Sequence, residues 1–419
     1  MDRRLPPLSA ASDDKSSERI QGSRLSEKTG ESMRIACIHQ GYERYGSDRS
    51  FAESVATLAR HFPGADIEVV LPREGPIISL FAGLPVRLTF EPLWILRRSS
   101  LSKLLTAGLA TLPAALLRAA KRYRSADLVY VNTSVVLDYA LVSRFFPGRT
   151  LLHIHEIGEG RAMQVLRFLA RFSRAELIFN SKATKAAFGL PRSIPQHVVY
   201  NGVPGPAAPY PTTYDGRRPL RLLLLGRVNR IKGQEVLLEA IARLPDALRS
   251  RVEARLVGSA FENPDAEKDL EALVETLGLS AVVRTEPFRD DPAELYRWAD
   301  VVVVPSRRPE SLGRVAIEAM ANGRPPIASS IGGLTEVVVH GETGWLVPPG
   351  DPQALAARLE HILLQPADLS TVVAAGRTRY EQLFAEDVAD RLLGQIATAK
   401  LAVGANASPK AAQKALGAP

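Results

Sequence analysis

The chain has 419 residues, more than one ordinary hydrophobic core accommodates, so two domains with terminal extensions are expected. Its one cysteine, Cys37, excludes a disulfide framework or a zinc cluster and reads as a small buried hydrophobe in an apolar run. The net charge of +8 is concentrated between Arg97 and Arg124, where Arg97, Arg98, Lys103, Arg118, Lys121, Arg122 and Arg124 occur with no acidic residue. No recognition motif accompanies them, so nucleic acid is not the expected partner.

Residues 1–32 are polar, mixed in charge and without an apolar core, so they read as a disordered extension rather than a signal peptide. A first α/β domain is expected over 33–203. It opens with a strand at Arg34–His39, a loop Gln40-Gly-Tyr-Glu-Arg-Tyr-Gly46 and a helix from Ser47 to His61. Strand, glycine loop and helix place a positive helix end at a strand terminus, which suits a phosphate as well as a plain turn. The full G-x-G-x-x-G fingerprint is absent, so dinucleotide binding is not supported. Further strands are predicted at 66–71, 86–90, 128–131, 150–155 and 177–179, with helices between them.

Within 93–124 the cations alternate with Leu93, Trp94, Ile95, Leu96, Leu101, Leu104, Leu105, Leu116 and Leu117. That mixture suits a helix lying on anionic lipid, and equally a solvated basic face. The uncharged run Leu104–Leu117 holds Pro113 and would reach only about 21 Å as a helix, too short to cross a bilayer. His153 and His155 alternate along one strand and point to one face, His155 nearer the carboxyl end, where ligands of such sheets bind. His153 reads as a core residue, and Glu156 and Glu159 as groups able to bind hydroxyls of a ligand.

Pro204–Pro219 has the Pro, Ala, Thr and Gly content of an interdomain linker, and a second α/β domain is expected over 220–392, with a helix end and tail over 393–419. After its first strand, Gly226-Arg-Val-Asn-Arg-Ile-Lys-Gly233 carries Arg227, Arg230 and Lys232 at the strand end, where cations can grip a diphosphate. Asp290-Asp291 precedes Pro292 and offers no convincing metal motif. The run Ala299–Pro305 reads as a buried parallel strand. A helix follows from Ser311 to Gly323, with Leu312, Val315, Ala316, Ala319 and Met320 at helical spacing. The amides of Leu312 and Gly313 would then face a phosphate at its positive end. Glu310 and Glu318 lie about 12 Å apart along this element, which suits two ends of one ligand better than one acid/base pair.

The segments Glu310-Ser-Leu-Gly313 and Glu318-Ala-Met-Ala-Asn-Gly323, with Gly226-Arg227 and Lys232-Gly233 opening the same domain, resemble the signature of retaining GT-B glycosyltransferases of family 4. Ser329-Ser-Ile-Gly-Gly-Leu-Thr-Glu336 and Gly341-Glu-Thr-Gly344 also match that family's closing pattern. The resemblance implies an α/β GT-B fold, two Rossmann-like α/β/α domains facing a central cleft. It implies a UDP- or GDP-linked sugar donor whose diphosphate is held by Arg227 and Lys232. Glu310 would touch the donor sugar, Glu318 the ribose, and Ser311, Leu312, Gly313 and Val315 would complete that wall. Gly41 and Gly46 would lie near the diphosphate, and Gly226, Gly258 and Phe288 around the rest of the nucleotide.

His155 would reach the donor sugar, making His155, Arg227, Lys232 and Glu310 the expected catalytic set. No metal or other cofactor is implied. The resemblance implies transfer of a hexose-like sugar, with retained anomeric configuration, to a glycan or lipid-linked saccharide in cell-surface polysaccharide or lipopolysaccharide assembly. The expected location is the cytoplasm, with peripheral contact on the inner face of its membrane through 93–124. A sugar-nucleotide epimerase of the same fold and an inactive nucleotide-sugar-binding scaffold are the competing readings.

Overall fold

A computed structural model describes residues 32–96, 107–158, 160–211, 213–260 and 265–406. Residues 1–31 of the extension expected over 1–32, the tail beyond 406, the cations Arg97, Arg98 and Lys103, and Glu159 lie outside the described residues.

The first domain is built on a seven-stranded sheet of β1 (Arg34–Ile38), β2 (Asp66–Leu71), β3 (Val86–Phe90), β4 (Leu128–Val131), β5 (Thr150–Ile154), β6 (Glu176–Phe179) and β7 (Gln196–Val198). Their spatial order is β3-β2-β1-β4-β5-β6-β7, and every pairing is parallel. The second sheet holds β8 (Leu220–Leu225), β9 (Val252–Val257), β10 (Val283–Glu286), β11 (Val301–Val304), β12 (Pro326–Ser329) and β13 (Trp345–Val347), in the order β10-β9-β8-β11-β12-β13 and again all parallel. Both sheets are covered on both faces, which is why their strands read as continuous apolar runs. Alternate residues feed opposite cores: Ile35 and Cys37 one, Ala36 and Ile38 the other, as do Val301 and Val303 against Val302 and Val304. Cys37 is fully buried, and burial pushes its thiol far above the ordinary range.

In each sheet the winding direction reverses once, between β1 and β4 in the first and between β8 and β11 in the second. Crevices open at the carboxyl ends of strands at such points, so the fold fixes where a ligand can sit before any side chain is considered.

The two domains are joined twice. Val203, the last residue before the linker, pairs with Ala385, and the Val203 amide donates to Phe384 O at 2.9 Å. Beyond this crossing the helix Glu386–Asn406 returns to the first domain and packs on the helix Gly46–His61. Leu393, Ala397 and Leu401 recur every fourth residue and enter the first domain's core. Lys400 Nζ lies 3.0 Å from Glu176, and Asp390 accepts from Arg60 and His61. A domain boundary at 392 therefore falls inside one helix. The crossing near 385 is the physical boundary, because the apolar stripe of this last helix finds its partner in the other domain.

The basic segment is also less uniform than its sequence. Arg122 lies between Glu68 (Nε to Oε2, 2.9 Å) and Glu91 (Nη1 to Oε1, 2.7 Å), with its side chain 11% exposed. Its charge is neutralised by residues far upstream. On the same helix, Ala107–Ser125, Leu117, Lys121 and Arg124 face solvent. Among the described residues no helix is long and apolar enough to cross a membrane.

Candidate functional site

The carboxyl ends of β8 and β11 carry the two motifs that the sequence singles out. Beyond β8 the chain turns through Gly226 and Arg227 to Lys232 and Gly233, where Gly233 has φ +73° and a Cβ would lie 2.1 Å from Pro305 O. Only glycine lets these two loops touch. Lys232 Nζ thereby comes to 2.8 Å from Glu310 Oε1, and the Ser306 hydroxyl donates to the same oxygen. Burial alone would raise the Glu310 carboxyl, but the Lys232 charge and the hydrogen bonds from Lys232 and Ser306 outweigh it and hold the group below its ordinary value.

Glu318 is held by other partners. Its Oε1 accepts from Arg314 Nε at 2.8 Å and its Oε2 from the Tyr296 hydroxyl at 2.6 Å. Among the described residues the two carboxylates thus share no hydrogen-bond donor. Arg314 also reaches across to the first domain, where Nη2 lies 2.9 Å from Glu53 Oε1. One guanidinium therefore bridges both domains beneath the cleft. Burial would depress Arg314, and the two carboxylates more than reverse that, so its charge is secure.

A cleft of about 300 Å³ lies between the domains over these groups. Gly46, Gly226, Arg227, Lys232, Phe288, Glu310, Val315 and Glu318 line it, so eight of the sequence-predicted residues meet in one space. Tyr45 from the first domain forms the opposite wall, its ring 3.6 Å from the Arg227 guanidinium carbon and 6.0 Å from the Phe288 ring. The rims are tied as well. Arg44 pairs with Asp290 at 3.2 Å, and Arg49 donates to Asp290 O at 2.7 Å. Elsewhere between the domains Glu336 accepts from the Lys182 amide at 2.8 Å and the Tyr200 hydroxyl at 3.0 Å.

Six predicted residues stand outside the cleft wall. The helix expected from Ser311 spans Arg314–Ala321, with Gly313 as its N-cap at φ +97°. Ser311 is engaged in the domain interface instead, its hydroxyl accepting from Asn180 Nδ2 at 3.1 Å and its carbonyl from Thr184 Oγ1 at 3.3 Å. Leu312 is buried, and a Cβ on Gly333 would lie 2.5 Å from its Cα. The amides at the helix start are accordingly those of Arg314 and Val315, not of Leu312 and Gly313. Gly332 and Gly333 belong to this support, since the Gly333 amide donates to Glu310 O at 2.8 Å. Gly258 acts from behind: a Cβ there would lie 1.9 Å from Gly226 O, and its neighbour Ser259 lines the cleft. Gly41 packs on a buried pair, His39 and Asp48, which lie 2.9 Å apart.

His155 lies beyond the end of β5, its Nε2 3.0 Å from Asn132 Oδ1. Burial, with His153 and His39 nearby, pushes its imidazole well below the ordinary range and keeps it neutral. His153 is buried as expected of a core residue, and burial lowers it to about 3.

Sequence reasoning missed Arg314, Glu53, Tyr296 and Tyr45. The four-residue spacing of Arg314 and Glu318 was a visible signal for the first.

Two parallel α/β domains, each with its switch point turned to one cleft, constitute the GT-B fold of glycosyltransferases. Residues 217–379 match the family described as glycosyl transferases group 1. D-inositol 3-phosphate glycosyltransferase of Thermobispora bispora is 40% identical over 187 residues, 43% of each chain. Its counterpart in Thermomonospora curvata is 38% identical over 194 residues, 45% of this chain and 44% of that one. The matched part thus spans less than half of these curated relatives. Among solved structures, Anabaena HepE in complex with UDP-glucose aligns with a TM-score of 0.70 at 25% identity, covering 88% of this chain and 100% of that one. Sucrose-phosphate synthase of Thermosynechococcus elongatus aligns with the same TM-score, identity and coverage.

Proposed function

We propose that this protein is a glycosyltransferase that moves a hexose-like sugar from a nucleotide-diphosphate donor to an acceptor hydroxyl. The observation that carries the reading is the Lys232–Glu310 pair set beside Arg227 at the ends of β8 and β11. When the nucleotide departs, negative charge gathers on its β-phosphate, and Arg227 and Lys232 are fixed donors for that charge. In this scheme the cations do the work for which other transferases use a divalent metal. Glu310, already ionised beside Lys232, is placed to order the sugar, and Glu318 the ribose. Since each carboxylate is tied to its own partners, neither is assigned as a nucleophile, and transfer with retained configuration proceeds by attack on the face the phosphate leaves, the phosphate helping to take the acceptor proton.

The donor is a UDP- or GDP-linked sugar, and UDP-glucose leads because HepE binds it. A thermal-shift panel of nucleotide sugars tests this. A productive donor at a hundred times its Kd stabilises by about 2.7 kcal/mol, and a panel in which neither UDP nor GDP sugars raise the melting temperature would count against the site. The acceptor is a glycan or lipid-linked saccharide of the kind used in cell-surface polysaccharide or lipopolysaccharide assembly. D-inositol 3-phosphate, which the curated relatives are named for, is the direct alternative in the same assay. Release of an epimerised sugar from donor alone would instead establish epimerase chemistry.

Peripheral membrane contact at the cytoplasmic face is proposed for the first domain. Leu117, Phe145 and Phe168 are 69%, 74% and 61% exposed, with Lys121, Arg124 and Arg171 on or beside the same row of helices. Flotation with anionic vesicles is expected, and Leu117→Ser with Lys121→Ser and Arg124→Ser is expected to abolish it. Undiminished flotation of that variant would refute the contact. Arg122 is not part of this test, because Glu68 and Glu91 already hold it.

A further inference from the structure

Among the described residues six basic side chains line the cleft, and five of them are committed to oxygen acceptors of the protein. Lys232 and Arg314 donate to the carboxylates described above. Arg44 and Arg289 pair with Asp290 and Glu286 respectively, and Arg49 donates to the carbonyls of Arg44 and Asp290. Arg227 is the exception. Its exposed side chain donates to no oxygen among the described residues, and the contact it does make is with the ring of Tyr45, whose centroid lies 3.6 Å from the guanidinium carbon. That is well inside the reach of about 6 Å over which an aromatic face attracts a cation.

The choice of a ring over a carboxylate has a chemical consequence. A carboxylate would neutralise the guanidinium and occupy its N–H groups, so that an arriving phosphate would have to displace it. An aromatic face orients the cation and leaves its charge intact and its N–H groups uncommitted to any anion. Burial pushes the Tyr45 hydroxyl up to about 12 against the opposing Arg227 charge, so the phenol is neutral and the contact is not an ion pair. A loose arginine would also give up rotamer freedom when it grips a ligand, and the ring removes that freedom beforehand.

The ring stands on a firm support. Tyr45 is the N-cap of the helix Gly46–His61, its amide donating to Asp48 Oδ2 at 2.9 Å and its carbonyl accepting the Arg49 amide at 2.9 Å. Asp48 is 3% exposed, and its other oxygen lies 2.9 Å from His39 Nε2. Tyr45 belongs to the first domain and Arg227 to the second, so the ring reaches the guanidinium only while the two domains stand closed over the cleft. Its neighbours cross in the same way, Arg44 and Arg49 to Asp290 and the Tyr45 ring itself to Phe288. We infer that Tyr45 is a positioning residue: closure of the first domain lays its ring on Arg227 and sets the guanidinium, uncommitted to any anion, for the donor diphosphate. The donor half of this inference rests on the glycosyl-transfer reading above. Tyr45 acts on the diphosphate only through Arg227, which makes the grip of the second domain conditional on the approach of the first.

The test begins by NMR on the full chain without ligand. The side-chain methylene protons of Arg227, assigned by their loss in Arg227→Lys, are expected to resonate upfield under the ring current of Tyr45. They should keep that shift in Tyr45→Phe and lose it in Tyr45→Leu. UDP and, separately, GDP are then titrated by calorimetry. Tyr45→Leu is expected to weaken binding about five- to tenfold, and Tyr45→Phe to recover most of that loss. In an Arg227→Ala background Tyr45→Leu is expected to cost nothing further. Should Tyr45→Leu fail to accumulate folded, phenylalanines carrying one, two and three ring fluorines at position 45 keep the shape while draining the negative face. Binding is expected to weaken stepwise along that series, to which a merely structural ring would be indifferent. Wild-type Arg227 protons at random-coil positions, affinity that ignores the fluorine series, or an equal cost of Tyr45→Leu with and without Arg227 would each overturn the inference. A wild type that shows the ring-current shift yet binds neither nucleotide would overturn the glycosyl-transfer reading and leave the tyrosine–arginine contact standing.

Discussion

Lys232→Ala is expected to lower turnover on the order of a hundredfold or more while the protein still folds. The physical reason is the placement of the ammonium at the strand end, 2.8 Å from Glu310 and in the same cleft as Arg227. Its loss removes one of two fixed cations from the developing phosphate charge, and also frees a buried carboxylate. The second effect gives an independent signature. In the wild type Glu310 is held below its ordinary value of 4.5, so the pair contributes stability above that pH and loses it as the pH falls. In the variant only the Ser306 hydroxyl remains of the side-chain donors to Glu310 among the described residues, and burial raises the carboxyl. A raised carboxyl favours the folded state at low pH and penalises it as the pH climbs through and past 4.5. Melting temperatures of wild type and variant should therefore converge near pH 4 and part at pH 7 to 8. Lys232→Arg keeps the charge but not the compact geometry, and is expected to recover stability more than turnover. Normal turnover in Lys232→Ala would sink the role given to this residue, whatever the melting curves show.

How much of this could be read from sequence depends on the range of each interaction. The strands were legible because a sheet covered on both faces demands unbroken apolar runs, as in Val301–Val304, and each run stands near a glycine or proline. The gathering of Arg227, Lys232, Glu310 and Glu318 was legible because their loops follow neighbouring strands at a switch point. What failed was set by distant partners. The helix at Arg314 starts three residues later than its apolar spacing predicts because Asn180 and Thr184 hold Ser311. Arg122 counts as surface charge in the sequence and as a neutralised core cation in the fold, because Glu68 and Glu91 approach it from other strands and loops. The boundary at 392 failed for a related reason: nothing local in Leu393, Ala397 and Leu401 says which of two cores will bury them. The family resemblance puts Gly41 near the diphosphate, and its nearest atoms are a carboxylate and an imidazole that only folding brings under it.

Arg314→Met should be the most destabilising single change at the cleft, costing about 3 kcal/mol at neutral pH. The substitution preserves much of the side-chain volume, so the loss reports charge and not a cavity. Two carboxylates depend on this one guanidinium. Glu318 keeps the Tyr296 hydroxyl, but Glu53 is already raised by burial, with Arg314 the main opposing influence and Glu386 and Glu318 adding repulsion. Without Arg314 the Glu53 carboxyl rises further and must take up a proton to stay buried. Because a raised carboxyl is favourable at low pH, the deficit should shrink toward pH 4 to 5 and grow toward pH 8. Glu53→Gln in the Arg314→Met background should then recover part of the loss at pH 8 and almost none at pH 4.5, although Glu53→Gln alone weakens the wild type. Such a sign reversal in a double-mutant cycle arises only if the two residues act through one another across the domain interface. Donor affinity should fall in Arg314→Met and stay low in the double mutant, since Glu318 has lost the donor that orients it in both. Additive effects of the two substitutions at both pH values would mean that the bridge between Glu53 and Arg314 does not hold the domains around the cleft.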